Sequence, residues 1–343
     1  INSIHEQYEF LSRHLEKDIL GNHYFEDLKA LVLCAMFFND EPVLHTALKA
    51  FKAECKEEIL PDGMHFELSP MYHKLIFEGV VRVVVALKDK GLDDCEVNGY
   101  LQPMLDVAWS LEEGLDRIPL FNDAGNNVAK SLQALVSACK EHFGITPEYK
   151  SRFIDSGFYI FKQNDWKLIV DAGQPGPAYI PGHAHCDAMS FELFKTGKPV
   201  IVNCGTYAYQ CKERSFFRST AAHNTVMVND TEQSQCWGAF RMAKRSKVNV
   251  VSVSEKSIVI ELMDQRGQTV KRTIQLEKTL KVTDESGGNK LTAFVHPIND
   301  IDMTFDGNSE TIGQQYAPEY GELVSLEAVR YEGNGKISVE ICI

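Results

Sequence analysis

No apolar run in the 343 residues approaches the roughly 20 consecutive positions that a membrane-spanning helix requires; the longest, 28–38 and 80–87, stop well short. Positive charge is also scarce. Lys and Arg number 35 against 48 Asp and Glu, and the net charge of −13 makes nucleic acid an unfavourable partner. The nine cysteines are odd in number and scattered, with no Cys-x-x-Cys pair. That excludes a disulfide framework and a cysteine-only zinc site, and leaves the redox compartment open. Neither an initiator Met nor a charged-then-apolar leader opens the chain, so a processed or truncated piece is expected and localisation stays undecided between periplasm, secretion and cytoplasm. Fixed-length repeats and low-complexity tracts are missing too.

What is present is ordinary globular composition, 44% hydrophobic and 24% charged, at a length that suits about two domains. The hydrophobic period changes part-way. Up to about Gly144 it is near 3.6, predicting helices over 4–19, 23–39, 41–58, 70–89, 97–115 and 127–143, separated by breaks such as Gly21-Asn22, Pro61-Asp62-Gly63 and Gly125-Asn126. Connections this short imply antiparallel helical hairpins. Beyond about Tyr149 the period is near 2, predicting strands over 157–162, 166–171, 188–195, 199–203, 224–229, 257–262 and 269–282. The fold class expected is therefore α+β: a helical domain over 1–147, then an antiparallel β-sandwich over 148–343.

Four clusters could carry chemistry. In Pro-Gly-His-Ala-His-Cys-Asp (181–187), strand alternation turns His183 and His185 to one side, as two metal ligands or a ligand and a reacting group require; Asn203 and His223 are the next donors. In Gly-Asn-His-Tyr-Phe-Glu (21–26), Asn22 is a natural N-cap, with His23 and Glu26 one helical turn apart. In Ser-Pro-Met-Tyr-His (69–73), Ser69 and Pro70 start a helix whose first turn holds Tyr72 and His73, where free amides favour an anion. Last, Tyr207, Tyr209, Lys212, Arg214, Arg218 and His223 lie in 205–225, and the overlapping segment 209–247 carries seven basic and three acidic residues, +4 in a chain at −13. That makes Arg214 and Arg218 candidate anion contacts. Each cluster also has a plain structural reading, as caps, packed aromatics or buried histidines.

Taken together, the order of these motifs resembles the heparinase II/III family of polysaccharide lyases: Asn-His-x-x-Glu (22–26), Ser-Pro-x-Tyr-His (69–73), Gly-His-x-His-x-Asp-x-x-Ser-Phe-Glu-Leu (182–193) and Ala-His-Asn-Thr (222–225). The resemblance implies an incomplete α/α toroid with an antiparallel sandwich, cleaving uronic-acid polysaccharides by β-elimination. It implies that Asn22 and His23 contact the uronate carboxylate with Glu26 supporting His23, that His73 lies near substrate, and that Tyr72 is a catalytic acid or base. It further implies that His183 reaches the cleavage site, that Tyr209 is a second catalytic tyrosine with Tyr207 as the competitor, and that His185, Asn203 and His223 hold one structural zinc ion.

Two departures from the family pattern stand out. The third metal ligand is usually Asp, and here Asn203 takes its position with Asp187 as the substitute; the helical half is also short, so an N-terminal portion of the toroid is expected to be missing. The chemistry suits the residues. Removing the proton on C5 of a uronate builds charge on its carboxylate, which calls for neutralising donors there and a base at C5. The partner expected is an acidic polysaccharide or oligosaccharide. A uronate C5-epimerase shares that proton abstraction, a non-catalytic polysaccharide-binding or biosynthesis protein would share only the binding, and a cupin-like metalloenzyme would account for Gly-His-x-His followed by Glu192.

Overall fold

The computed structural model describes residues 1–92 and 94–343 and divides them into two compact units. One comprises 1–66, 72–109 and 129–149, the other 67–71, 110–128 and 150–343. The chain is α+β. Helices α1 (Asn2–Leu11), α2 (Gly21–Phe38), α3 (Glu41–Glu58), α4 (Pro70–Asp89), α5 (Cys95–Asn98), α6 (Leu101–Glu112) and α7 (Leu132–Phe143) account for the first part of the sequence. Their ends follow local chemistry. Asp40 caps α3 by accepting from the Val43 amide at 3.2 Å, Ser131 caps α7, and Gly144 closes α7 in the left-handed region that glycine adopts without strain.

Three expected helices are shorter than periodicity suggested, the one over 127–143 beginning only at Leu132 behind its Ser131 cap. The first, over 4–19, ends at Leu11, where the Arg13 and His14 amides bond three residues back, to Phe10 O and Leu11 O at 3.1 Å, and the Glu16 amide then leaves the ladder for Asp27 Oδ2 at 2.8 Å. The 97–115 segment splits at Gly99-Tyr100 into α5, capped by Asp94, and α6. The helical core gathers Phe25, Phe51, Phe77, Val80, Val84, Leu105 and Leu135. At Gly79 a Cβ would stand 2.7 Å from the Phe25 ring, so only glycine lets α4 approach α2 this closely.

Within this unit Glu58 is fully buried, with Oε2 3.0 Å from His65 Nε2. Burial pushes its carboxyl up to about 8, so the folded protein holds a proton there that the unfolded chain releases near pH 4.5. Stability should then fall by up to about 1.4 kcal/mol per pH unit between roughly pH 4.5 and 8 and level off above. Glu58→Gln mimics the protonated carboxyl and is expected to flatten that decline in urea unfolding at pH 5 and pH 8; a decline of unchanged slope would show that Glu58 is ionised in the fold.

The second unit is an antiparallel sandwich. Strands β1 (Arg152–Phe153), β2 (Phe158–Gln163), β3 (Trp166–Asp171), β4 (Phe191–Lys195) and β5 (Lys198–Ile201) form one sheet in sequential order. The other contains β6 (Val226–Val228), β9 (Lys247–Val253), β10 (Ser257–Met263), β11 (Thr269–Leu276), β12 (Thr279–Val295), β13 (Met303–Asp306), β14 (Asn308–Tyr316) and β15 (Val324–Cys342), while β7 (Gln235–Trp237) and β8 (Arg241–Ala243) form a two-stranded sheet. Leu168, Val170 and Leu193 from the first sheet and Ile258, Ile260, Val282 and Val339 from the second belong to one core. The expected strand 269–282 is a hairpin, β11 and β12, turning at Glu277-Lys278.

One buried ion pair ties this core to the loops that matter below. Arg272 of β11 grips Asp284 of β12 through two bonds of 2.7 and 2.8 Å, and its Nη1 donates to the carbonyls of Met189 and Asn224 at 3.0 and 2.8 Å. Met189 has φ +62°, costly for a side chain of its kind, and the guanidinium holds it there.

Candidate active site

Asp123 is the hub of the strand unit's polar interior. It lies in the loop after α6, one of the early segments that join the strands, and is fully buried. Its Oδ2 is 2.9 Å from His183 Nδ1 and 2.7 Å from Arg214 Nη2; its Oδ1 is 2.8 Å from His185 Nε2, accepts from Thr206 Oγ1 at 3.1 Å, and also receives Arg214 Nη1. Burial alone would raise this carboxyl, but Arg214 and the two histidines hold it well below the usual carboxylate range. An ionised acceptor fixes both tautomers: His183 carries a proton on Nδ1 and His185 on Nε2. The loop is itself pinned. Asn122 donates from its side chain to Leu68 O at 3.0 Å, accepts from the His185 amide at 3.1 Å, and donates from its backbone amide to Asp187 Oδ2 at 2.8 Å.

Above His183 stand Tyr209, with ring centroids 5.9 Å apart, and Phe240 at 6.0 Å. The Arg214 guanidinium lies 5.1 Å from the Tyr209 ring, and the Tyr209 hydroxyl hydrogen-bonds that of Tyr320. Tyr207 instead packs beside the small core of Cys204, Phe217, Ala222 and Ala317. The sandwich thus gathers an imidazole, a guanidinium and a phenol round one carboxylate, with the guanidinium committed to that carboxylate and the imidazole and phenol of the kind that can move a proton.

His185 and His223 are the other pair brought together. His185 Nδ1 is 3.3 Å from His223 Nε2. Burial keeps both neutral, lowering His185 to about 4 and His223 well below its ordinary value. Asn203 is buried against the residue after His223: its Oδ1 accepts from the Asn224 amide at 3.1 Å and its Nδ2 lies 3.4 Å from Ser190 Oγ.

In the helical unit, Asn22, Glu26 and Tyr72 line one groove of about 510 Å³, together with Lys29, Glu78 and Arg82. Asn22 is not a cap. The helix begins at Gly21, and Leu20 precedes it at φ +61° without a side-chain capping bond, so the Asn22 amide is left to face the groove. Glu26 pairs with Lys29 and not with His23, whose Nδ1 is 2.8 Å from Glu16 Oε2 at the surface.

Three expected substrate contacts sit elsewhere. His73 is fully buried: its Nδ1 accepts from the His65 amide at 3.2 Å and its Nε2 donates to Met104 O at 2.9 Å, while burial drives it down to about 3. No ring nitrogen is left for a sugar. Arg214 and Arg218 are buried as well. Arg218 donates to Ala184 O from Nε and Nη2 at 3.2 and 3.0 Å and to Ala239 O and Arg241 O from Nη1, clamping the loop between His183 and His185, where the expected extended strand is instead irregular chain ahead of β4. The basic segment reads as an anion attractor in sequence, yet its two central arginines are held inward by carbonyls and by Asp123. Conversely, Asp123 and Tyr320 have no motif; the only hint of Asp123 was its position in a loop rich in Asn, Asp and Gly.

Comparison with known proteins decides the family. The heparinase II/III-like C-terminal family model matches residues 145–330 and the heparinase II/III N-terminus model matches residues 1–150. The chain belongs to the heparinase II/III family. A heparin-sulfate lyase of Pedobacter heparinus is 26% identical over 262 residues, covering 67% of this chain and 39% of that protein, and one of Bacteroides stercoris is 24% identical over 258 residues, covering 63% and 36%. The chain therefore spans less than two fifths of the length of these curated relatives. Among solved structures, a heparinase III superposes with a TM-score of 0.80 at 16% identity over 98% of this chain and 63% of that one. The heparan sulfate lyase of Pedobacter heparinus gives 0.74 at 18%, over 99% and 62%. At such identities the likeness concerns the fold, helices followed by an antiparallel sandwich.

The zinc implied by the heparinase II/III resemblance can be tested against the donors. Two imidazole nitrogens on a tetrahedral zinc, each at about 2.0–2.1 Å, are separated by about 3.3–3.4 Å. His185 Nδ1 and His223 Nε2 meet that spacing, and His185 has the carboxylate partner on its far nitrogen that metal-bound histidines commonly keep. Among the described residues no three His, Cys, Asp or Glu groups converge on one point, so a third protein donor would be a neutral amide such as Asn203. Asp187 is engaged with Asn122.

Proposed function

We propose that this protein cleaves uronic-acid-containing polysaccharides by β-elimination. The observation that carries the reading is the Tyr209, His183 and Arg214 cluster round the buried Asp123, in a heparinase II/III chain whose curated relatives are named heparin-sulfate lyases. Elimination removes the C5 proton of a uronate, passes its electron pair through the carboxylate-stabilised carbanion, and expels the C4 oxygen, leaving a C4–C5 double bond. In the strand unit, Tyr209 is the proton-transfer group; His183, with Nδ1–H committed to Asp123, uses Nε2 toward the sugar. In the helical unit, Asn22 and His23 neutralise the uronate carboxylate and Tyr72 exchanges a proton. Positioned acid–base groups of this kind contribute about 10²–10⁴-fold. His185 and His223 hold zinc with Asn203, and the ion fixes the loops of the sandwich without entering the reaction. Because an amide compensates the ion's charge less than a carboxylate does, occupancy should be partial.

The test is a screen of heparan sulfate, heparin, hyaluronan and alginate, following ultraviolet absorbance of the unsaturated product. Rising absorbance with falling chain length is expected for at least one of them. Unchanged length with altered C5 stereochemistry would replace the reading with epimerisation, and binding without turnover would remove catalysis altogether.

A further inference from the structure

The second hydroxyl against Tyr209 has no role in the reading above. Tyr320 is half-buried in the connection between β14 and β15, its hydroxyl hydrogen-bonded to that of Tyr209 and its ring edge-on to the Tyr209 ring at 5.4 Å and 72°. Its seat is built. Gly125 lies beneath it, where a Cβ would come within 2.7 Å of the Tyr320 ring. The Asn126 backbone and side-chain amides donate to Pro318 O at 3.0 and 2.9 Å, the Ala317 amide to Cys204 O at 2.8 Å, and the Gly321 amide to Tyr207 O at 2.8 Å. Five such contacts hold one phenol against another.

We propose that Tyr320 is a positioning residue for Tyr209: its O–H donates to the Tyr209 oxygen and stabilises the phenolate, the form that accepts the C5 proton. This rests on Tyr209 acting in the proposed elimination. A phenol has an ordinary pKa near 10 and is a poor base at neutral pH, so it needs groups that favour its anion. Tyr209 is faced by the Arg214 guanidinium, 5.1 Å from its ring, by the His183 imidazole, by the Tyr320 hydroxyl and by the apolar Phe240. Asp123 neutralises Arg214 from behind, which weakens the cation's pull and leaves the hydroxyl as the direct donor to the oxygen. In the reacting step the C5–H bond breaks and an O–H bond forms on Tyr209; the C5–H electron pair, held by the carboxylate-stabilised carbanion, becomes the C4–C5 double bond as the C4–O bond breaks with its pair on the leaving oxygen, which takes a proton from Tyr72, and the Tyr320 proton stays on Tyr320.

The test is a titration of the intact protein labelled with ¹³C at the tyrosine ring carbon bearing oxygen, with the Tyr209 signal assigned by its loss in Tyr209→Phe. Tyr320→Phe keeps the ring and its packing. The expected result is that the Tyr209 midpoint rises by about one to two pH units in Tyr320→Phe, the size of a hydrogen bond to a charged oxygen. An equal midpoint in both proteins overturns the proposal. On a cleaved substrate, the acidic limb of kcat/KM should move up by the same amount and the activity should return at high pH, which a merely structural loss would not do. If Tyr209→Phe cleaves at the normal rate, the catalytic reading of Tyr209 fails while the titration still judges the pair; if Tyr209→Phe is inactive and Tyr320→Phe keeps the wild-type limb, the role of Tyr320 alone fails.

Discussion

Asp123→Ala is expected to lower stability by about 3–5 kcal/mol in urea or thermal unfolding, the range for removing one partner of a buried charge pair. The loss is large because the carboxylate serves four side chains. Arg214 would keep its charge in the interior without a counter-ion, and His183 and His185 would each lose the acceptor that fixes a tautomer. Asp123→Asn preserves the volume and separates stability from function. Its amide offers one acceptor and one donor where the network needs only acceptors, so a cost of about 1–3 kcal/mol is expected. Turnover should fall with little change in KM, and zinc affinity at the proposed His185–His223 site, measured by calorimetry, should drop about 10–100-fold through the loosened His185. An Asn variant with wild-type stability, turnover and zinc affinity would mean that the hub is incidental.

Tyr72→Phe is expected to lower turnover by about 10²-fold or more on a confirmed substrate, with an unfolding midpoint close to that of the parent. The phenyl ring keeps its packing in the first turn of α4, and only the ionisable oxygen is lost. Asn22→Ala provides a companion variant in the same groove. Because Asn22 lies within α2 and caps nothing, its removal takes away a donor without a capping bond, and a loss of activity would report on substrate binding. If Tyr72→Phe cleaves at the normal rate, proton transfer belongs to the sandwich residues alone.

How far the site could be read from the chain differs residue by residue. His183 and His185 stood out through their spacing, but the extended alternation expected there is absent: the segment is irregular chain before β4, and it is the bonds to Asp123 that bring both rings to one carboxylate. Tyr209 and Tyr207 satisfied the same alternation equally well. Only packing separates them, since Tyr207 joins a small apolar cluster and Tyr209 packs at a tilt against His183. Arg214 and Arg218 misled for a related reason: charge counted along a segment says nothing about direction, and both guanidiniums turn inward. Asn22 looked like a cap because its residue type suits one, yet the helix starts a residue earlier.

The sequence by itself determined the division into helical hairpins and an antiparallel sandwich, because period 3.6 and period 2 are local properties that each element must satisfy to bury one face. It also determined the family, through motifs whose residues lie within a few positions of each other. The tertiary structure alone decided that 67–71 and 110–128 would leave the helical part of the sequence for the strand unit and bring Asn122 and Asp123 to His183, His185 and Arg214. It alone paired Tyr209 with Tyr320, 111 residues later. Such contacts follow no period. They arise because buried donors must find acceptors wherever the chain can supply them, and an ionised carboxylate in the interior persists only where enough donors converge on it.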